Sequence, residues 1–154
     1  MTEPRSHGGG PDAHVLQVLQ SVRTIAVVGA SDNPAKPSYQ VSRFLIDAGY
    51  TVIPVNPRSG LKTILGRPVY PSLRAIDQPV DMVDVFRPSA ELAEIAREAV
   101  AIGAHVLWGQ LDIQDDEAAH IAEDGGLTVV MDRCPKIELA ALHGELELDQ
   151  GDRS

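Results

Sequence analysis

Cysteine is nearly absent from this 154-residue chain, where Cys134 stands alone. One thiol forms no internal disulfide and supplies no cysteine cluster for a metal, which fits a reducing compartment. His7, His14, His105, His120 and His143 are scattered without ligand spacing, so no metal site is expected. No run of about 18 apolar residues is present to span a bilayer. The first ten residues also lack the basic-then-apolar order of a secretory signal. The expectation is a soluble cytoplasmic protein with no membrane partner. Positive charge is scarce too: 13 lysines and arginines face 22 acids, a formal net charge of −9. A sequence-blind nucleic-acid binder needs a basic face for its phosphate contacts, so nucleic acid is not an expected partner.

What is present is a chain with 44% apolar residues, enough for one globular core. Residues 1–11 are rich in Gly and Pro and residues 143–154 are polar and mostly acidic, so both ends are expected to be disordered. The domain is expected over 12–142. Asp12 can cap a first helix built on Val15, Leu16, Val18, Leu19 and Val22. Apolar runs predict strands at Thr24–Val28, Thr51–Val55, Met82–Phe86, His105–Trp108 and Leu127–Met131. Between them, helical patterns run over Tyr39–Ala48, with Pro37 in the first turn and Gly49 at the end, then Ser89–Ala101 and Asp115–Glu123. A closing helix is predicted over Pro135–Leu142. Pro68–Tyr70 reads as a short extended piece and Pro71–Ile76 as a turn of helix.

Strands that are apolar on both faces and alternate with helices imply a parallel sheet covered on two sides and joined by right-handed crossovers. The fold class is therefore α/β: a single Rossmann-like domain, with five parallel strands and helices on both faces. Ligands of such sheets bind at the carboxyl edge where strand order reverses, so the residues just after each strand matter most.

After the first strand come Gly29, Ala30, Ser31, Asp32, Asn33, Lys36, Pro37 and Ser38. A dinucleotide fingerprint needs three glycines for a tight turn, close pyrophosphate approach and helix packing, and two of them are missing. Gly29 and Ala30 still allow close approach. Ser31 and Ser38 offer hydroxyls, and the next helix N-terminus favours negative charge through its dipole and free amides. The alternative is an ordinary strand-to-helix turn in which Ser31 and Asn33 satisfy backbone groups. After the second strand, where an acid would grip the ribose of NAD, stand Asn56, Pro57 and Arg58. A carboxylate there repels a ribose phosphate and Arg58 attracts one, which favours a nucleotide carrying an extra phosphate. From Asn33 to Arg74 the bases are Lys36, Arg43, Arg58, Lys62, Arg67 and Arg74, against Asp47 as the one acid. Lys62 and Arg67 are further candidates for that phosphate.

Phe86, Arg87 and Pro88 follow the third strand, and Trp108, Gly109 and Gln110 follow the fourth, where a long ligand would cross the sheet edge. For Phe86 and Trp108, core packing is an equal alternative. Arg87 either faces the ligand or pairs with a carboxylate such as Asp132. Cys134 follows the fifth strand near a helix start and two bases. It has no histidine partner that sequence can place, so no catalytic nucleophile is assigned.

Together VVGAS (Val27–Ser31), AGYTVIPVNP (Ala48–Pro57), LGRPVYPSL (Leu65–Leu73), VFRPS (Val85–Ser89), WGQL (Trp108–Leu111) and DRCPKIE (Asp132–Glu138) resemble the CoA-binding domain family. The resemblance is to small stand-alone bacterial CoA-binding proteins, related to the N-terminal domain of the succinyl-CoA synthetase α subunit. It implies coenzyme A across the carboxyl edge of the sheet, its phosphates meeting Ala30, Ser31, Asp32 and Asn33. A lysine after the second strand helps bind the coenzyme in the synthetases; here Ser59 takes that place, with Arg58 beside it. Their contact stretch after the fourth strand matches Trp108, Gly109 and Gln110, with glutamine replacing an acid. The synthetases also need a phosphorylated histidine on a downstream domain and a nucleotide-binding partner subunit, so ligase chemistry is not expected. The resulting expectation is non-catalytic binding of coenzyme A or an acyl-CoA. The alternatives are an NADP-dependent oxidoreductase, for which no Tyr and Lys pair at helical spacing is found, and a degenerate module that contacts another protein.

Overall fold

The structure, a computed structural model, describes residues 13–58 and 60–141. Both expected disordered ends, the Asp12 cap, Ser59 and Leu142 lie outside the described residues. In chain order the elements are α1 (Ala13–Ser21), β1 (Thr24–Val28), α2 (Pro37–Asp47), β2 (Thr51–Val55), β3 (Thr63–Ile64) and β4 (Arg67–Pro68). They continue as a 3₁₀ turn (Leu73–Ala75), β5 (Met82–Val85), a second 3₁₀ turn (Ser89–Glu91) and α3 (Leu92–Ala101). β6 (Val106–Gly109), α4 (Asp116–Asp124), β7 (Thr128–Val130) and α5 (135–141) complete the fold.

Five of these strands form one parallel sheet in the order β2-β1-β5-β6-β7. The chain moves outward from β1 to β2, then crosses back to β5, so the order reverses between β1 and β5. That gap is the topological switch of a doubly wound sheet. Alternation along each strand builds two cores, because successive side chains point to opposite faces. Ile25, Val27, Met82, Val106 and Trp108 meet α1, α2 and α5. Ala26, Val28, Val83, Val85 and Leu107 meet α3 and α4. The layers are therefore helix, sheet, helix.

Helix ends follow from named residues. Pro37 opens α2, and Asp115 caps α4 by accepting the Ala118 N–H at 2.9 Å. α2 closes with Gly49 N–H to the Ile46 carbonyl (3.0 Å) and Tyr50 N–H to the Leu45 carbonyl (3.0 Å), a Schellman pair that needs Gly49 at its φ of +101°. α3 and α4 end the same way.

Strand and helix positions match the expectation to within a residue or two, with three differences. The segment expected to be extended at Pro68–Tyr70 belongs partly to the β3/β4 hairpin, and Tyr70 bridges to Val55 on the outer edge of β2. The helix expected from Ser89 begins as a 3₁₀ turn and becomes α-helical at Leu92. Strand β6 runs one residue further, to Gly109, and leaves His105 outside.

Candidate functional site

The carboxyl end of β1 is shaped by hydrogen bonds to its neighbour. Gly29 N–H and Ala30 N–H both reach the Val55 carbonyl, at 2.9 and 3.3 Å. Gly29 has φ +91°, which strains any other residue, and a Cβ there would crowd Arg87 and Phe86 at 3.2–3.3 Å. Asn56 braces the two loops: its Nδ2 donates to the Ala30 carbonyl (2.8 Å) and its Oδ1 accepts the Arg58 N–H (2.8 Å). Beyond Ala30 the chain turns on its own side chains, as the ordinary-turn alternative requires. Ser31 Oγ accepts the Asn33 N–H (3.0 Å), and Asn33 Oδ1 accepts the Ala35 N–H (3.0 Å). Lys36, at the N-cap of α2, makes no side-chain cap bond, so its side chain does not satisfy the leading amides of the helix.

A cleft of about 570 Å³ opens beside this loop, over the switch between β1 and β5. Gly29, Ala30, Ser31, Lys36, Ser38, Asn56, Arg87, Gln110 and Cys134 all line it. Pro37, Val41, Phe86, Leu111 and Ile113 join them; the last two escaped sequence reasoning because a loop of unknown path carries them. Asp32, Asn33 and Pro88 are exposed and outside the lining. Pro57 lines a neighbouring recess of about 280 Å³ with Leu73, Arg87 and Glu91.

Trp108 takes the core alternative. It is fully buried, and its Nε1 donates to the Arg133 carbonyl at 2.7 Å. Gly109 also lies outside the lining; a Cβ there would collide with the Ile113 carbonyl oxygen, so its role in the fold is to let the chain return. Arg87 pairs with Glu91, through Nε at 3.2 Å and Nη2 at 2.8 Å, and not with Asp132. Asp132 instead accepts the Asp112 N–H at 2.7 Å, and both aspartates hold left-handed backbones. The Arg87 hydrogen bonds, aided by the positive charges of Arg87 and Arg58, hold the Glu91 carboxyl below its usual range against partial desolvation. Arg58 thus stands near the recess, exposed. Arg67 donates to the Leu65 carbonyl at 2.7 Å and braces the hairpin, while Lys62 is exposed.

Two residues at the switch were not foreseen as a pair. Asp84 on β5 is fully buried, and burial pushes its carboxyl well above the usual range. Its partner is Gln110, 5% exposed, whose carboxamide nitrogen donates to Oδ1 at 2.8 Å and Oδ2 at 3.2 Å. The sequence did carry a signal: an acid inside a strand otherwise apolar on both faces. Among the described residues there is no group of three or more His, Cys, Asp or Glu able to hold a metal. No helix among them is long and apolar enough to cross a membrane.

A five-stranded parallel sheet with a cleft at its switch, lined by apolar side chains and a few polar ones, defines a doubly wound, Rossmann-like domain. The chain belongs to the CoA binding domain family, which matches residues 23–140. It is 42% identical over 125 residues to the uncharacterized protein YneT of Bacillus subtilis (strain 168), covering 81% of this chain and 91% of that one. It is 33% identical over 96 residues to the α subunit of an ADP-forming acetate–CoA ligase I from Pyrococcus furiosus, covering 60% of this chain and 21% of the subunit. A hypothetical protein from Pyrococcus horikoshii OT3 shares the fold with a TM-score of 0.81 at 35% identity, over 90% of this chain and 96% of that one. The chain thus spans about a fifth of the ligase subunit.

Proposed function

We propose that the chain binds coenzyme A or an acyl-CoA along the carboxyl edge of the sheet and carries out no chemistry on it. The cleft supplies what a pyrophosphate needs: the leading amides of α2, the Lys36 ammonium and the Ser38 hydroxyl. The phosphoadenosine end belongs toward β2, where Arg58 stands beside the recess lined by Pro57, Leu73 and Arg87. The pantetheine arm then runs across the switch toward Gln110, Leu111 and Cys134. Membership of the CoA binding domain family supports the ligand class.

The observation that carries this reading is the end of β2. A redox dinucleotide needs a carboxylate there for its ribose hydroxyls. This chain has Asn56, already engaged as a brace, followed by an exposed guanidinium. Cys134 is buried beside the cleft with no histidine among the described lining residues to activate it, so no nucleophile is assigned.

Titration calorimetry with coenzyme A and dephospho-CoA tests the assignment. Coenzyme A is expected to bind about tenfold tighter, and Arg58→Ala to shrink the gap to about threefold or less, the scale of one charge-assisted contact at a partly exposed site. Equal affinities for the two ligands in the native protein would refute the role of Arg58.

A further inference from the structure

Asp84 occupies an unusual place for an acid. It lies on a central strand, in register between Val27 of β1 and Trp108 of β6, with no exposed surface. The helices on its side of the sheet present apolar residues to this core: Val15, Val18 and Leu19 from α1, Val41 and Leu45 from α2, and Leu139 from α5. Cys134 is the other titratable group among the described buried residues of that core, and Tyr50 packs against it half-buried, its phenol pushed up by burial. At the cleft, the charged groups are Lys36 and Arg87, and Arg87 is engaged with Glu91. Among the described residues no cation compensates the carboxyl, and burial raises its proton affinity. Its hydrogen-bond partner, Gln110, lines the cleft.

A carboxylate only accepts hydrogen bonds, so when Asp84 is ionised the Gln110 carboxamide must turn its NH₂ inward. Its oxygen then faces the donors at the other end, on the side of the cleft that Gln110 lines. A protonated Asp84 carries a hydroxyl that donates to that oxygen, which frees the NH₂ to face the other way. The Gln110 main chain is held meanwhile, its N–H to the Val85 carbonyl (3.2 Å) and its carbonyl to the Ile113 N–H (2.8 Å). Only the carboxamide has to rotate.

We propose that Asp84 is a positioning residue: its proton state decides whether Gln110 offers the ligand a hydrogen-bond acceptor or a donor. The identity of that ligand rests on the coenzyme A reading above. Ligand recognition at the far end of the cleft is then linked to the protein's own proton, apart from the titration of the ligand's phosphate monoester near pH 6.

The test has a ligand-free arm and a ligand arm. In the ligand-free protein, NMR follows the Asp84 carboxyl carbon and the Gln110 side-chain amide from pH 4 to pH 10. Both signals are expected to move with one shared midpoint, above that of an exposed aspartate, and the Gln110 signals of Asp84→Asn are expected to stay fixed. A Gln110 amide indifferent to pH, or one that moves equally in Asp84→Asn, overturns the proposal. Calorimetry with coenzyme A over the same range should show, on top of the dependence that the ligand's own phosphate gives both proteins, an affinity step of about three- to tenfold at that midpoint, the worth of one net hydrogen bond, and no such step in Asp84→Asn. Measurable binding with the same pH profile in both proteins overturns the positioning role while sparing the coenzyme A reading. No binding of coenzyme A at any pH overturns that reading, and the ligand half of the proposal with it.

Discussion

The two faces of the sheet are built to different standards. Against α3 and α4 the core is aliphatic throughout, from Val83, Val85 and Leu107 on the strands to Leu92, Ile95, Ala96 and Ala122 on the helices. Against α1, α2 and α5 the same strands and helices carry Asp84, Ser38 and Ser42 among the apolar residues, with Gln110 bonded to Asp84 at the edge. Hydrophobic burial is the main driving force of folding, and an uncompensated buried carboxyl opposes it. The aliphatic face is therefore the one that secures the fold. The mixed face gives up stability around the cleft.

The sharpest break of that contrast is Leu107→Ala, deep in the aliphatic face. It is expected to lower stability by about 2–5 kcal/mol in urea denaturation, with coenzyme A affinity unchanged in the folded fraction. A change of next size, opposite in sign, is expected from Asp84→Asn. Burial holds the folded-state pKa of Asp84 above its unfolded value. Between the two values the folded chain keeps a proton that the unfolded chain releases, so stability falls as pH rises through that window and the full cost remains above it. Asp84→Asn should remove that slope and gain roughly 1–3 kcal/mol at pH 8, while gaining nothing below the unfolded pKa. A variant less stable than the native chain at pH 8 would contradict the contrast between the faces. The smallest effect belongs to Tyr50→Phe. Tyr50 Oη donates to the Leu19 carbonyl at 2.6 Å, tying α1 to the end of α2. Its loss should reduce the melting free energy by about 1 kcal/mol without moving ligand affinity.

Much of this architecture is legible in the chain itself. β1 and β2 have the expected bounds, and Pro37 and Gly49 frame α2, because each rests on local rules of burial, fixed φ or permitted positive φ. The β3/β4 hairpin escaped because strands of two residues have no periodicity to read. At the site, local signals pointed to residues that do line the cleft where backbone dominates, as at Gly29, Ser38 and Asn56. They failed where a side chain's direction depends on partners far along the chain. Trp108 is turned into the core by the Arg133 carbonyl 25 residues on, and the Asp84–Gln110 pair joins β5 to the residue that follows β6. Arg87 is a different failure: its true partner lies only four residues away, but the turn that brings Glu91 round is 3₁₀.

The strap formed by Tyr70 has one more effect. Its amide donates to the Pro54 carbonyl and its carbonyl accepts the Asn56 N–H, both at 3.0 Å, on the outer side of β2. Pro54 itself has no N–H to offer a newcomer. At the opposite rim, β7 is only three residues long. Neither border presents a long ladder of unpaired main-chain groups, the template on which aggregating sheets grow. Among the described residues, both borders therefore disfavour the growth of the sheet from one copy of the chain into the next.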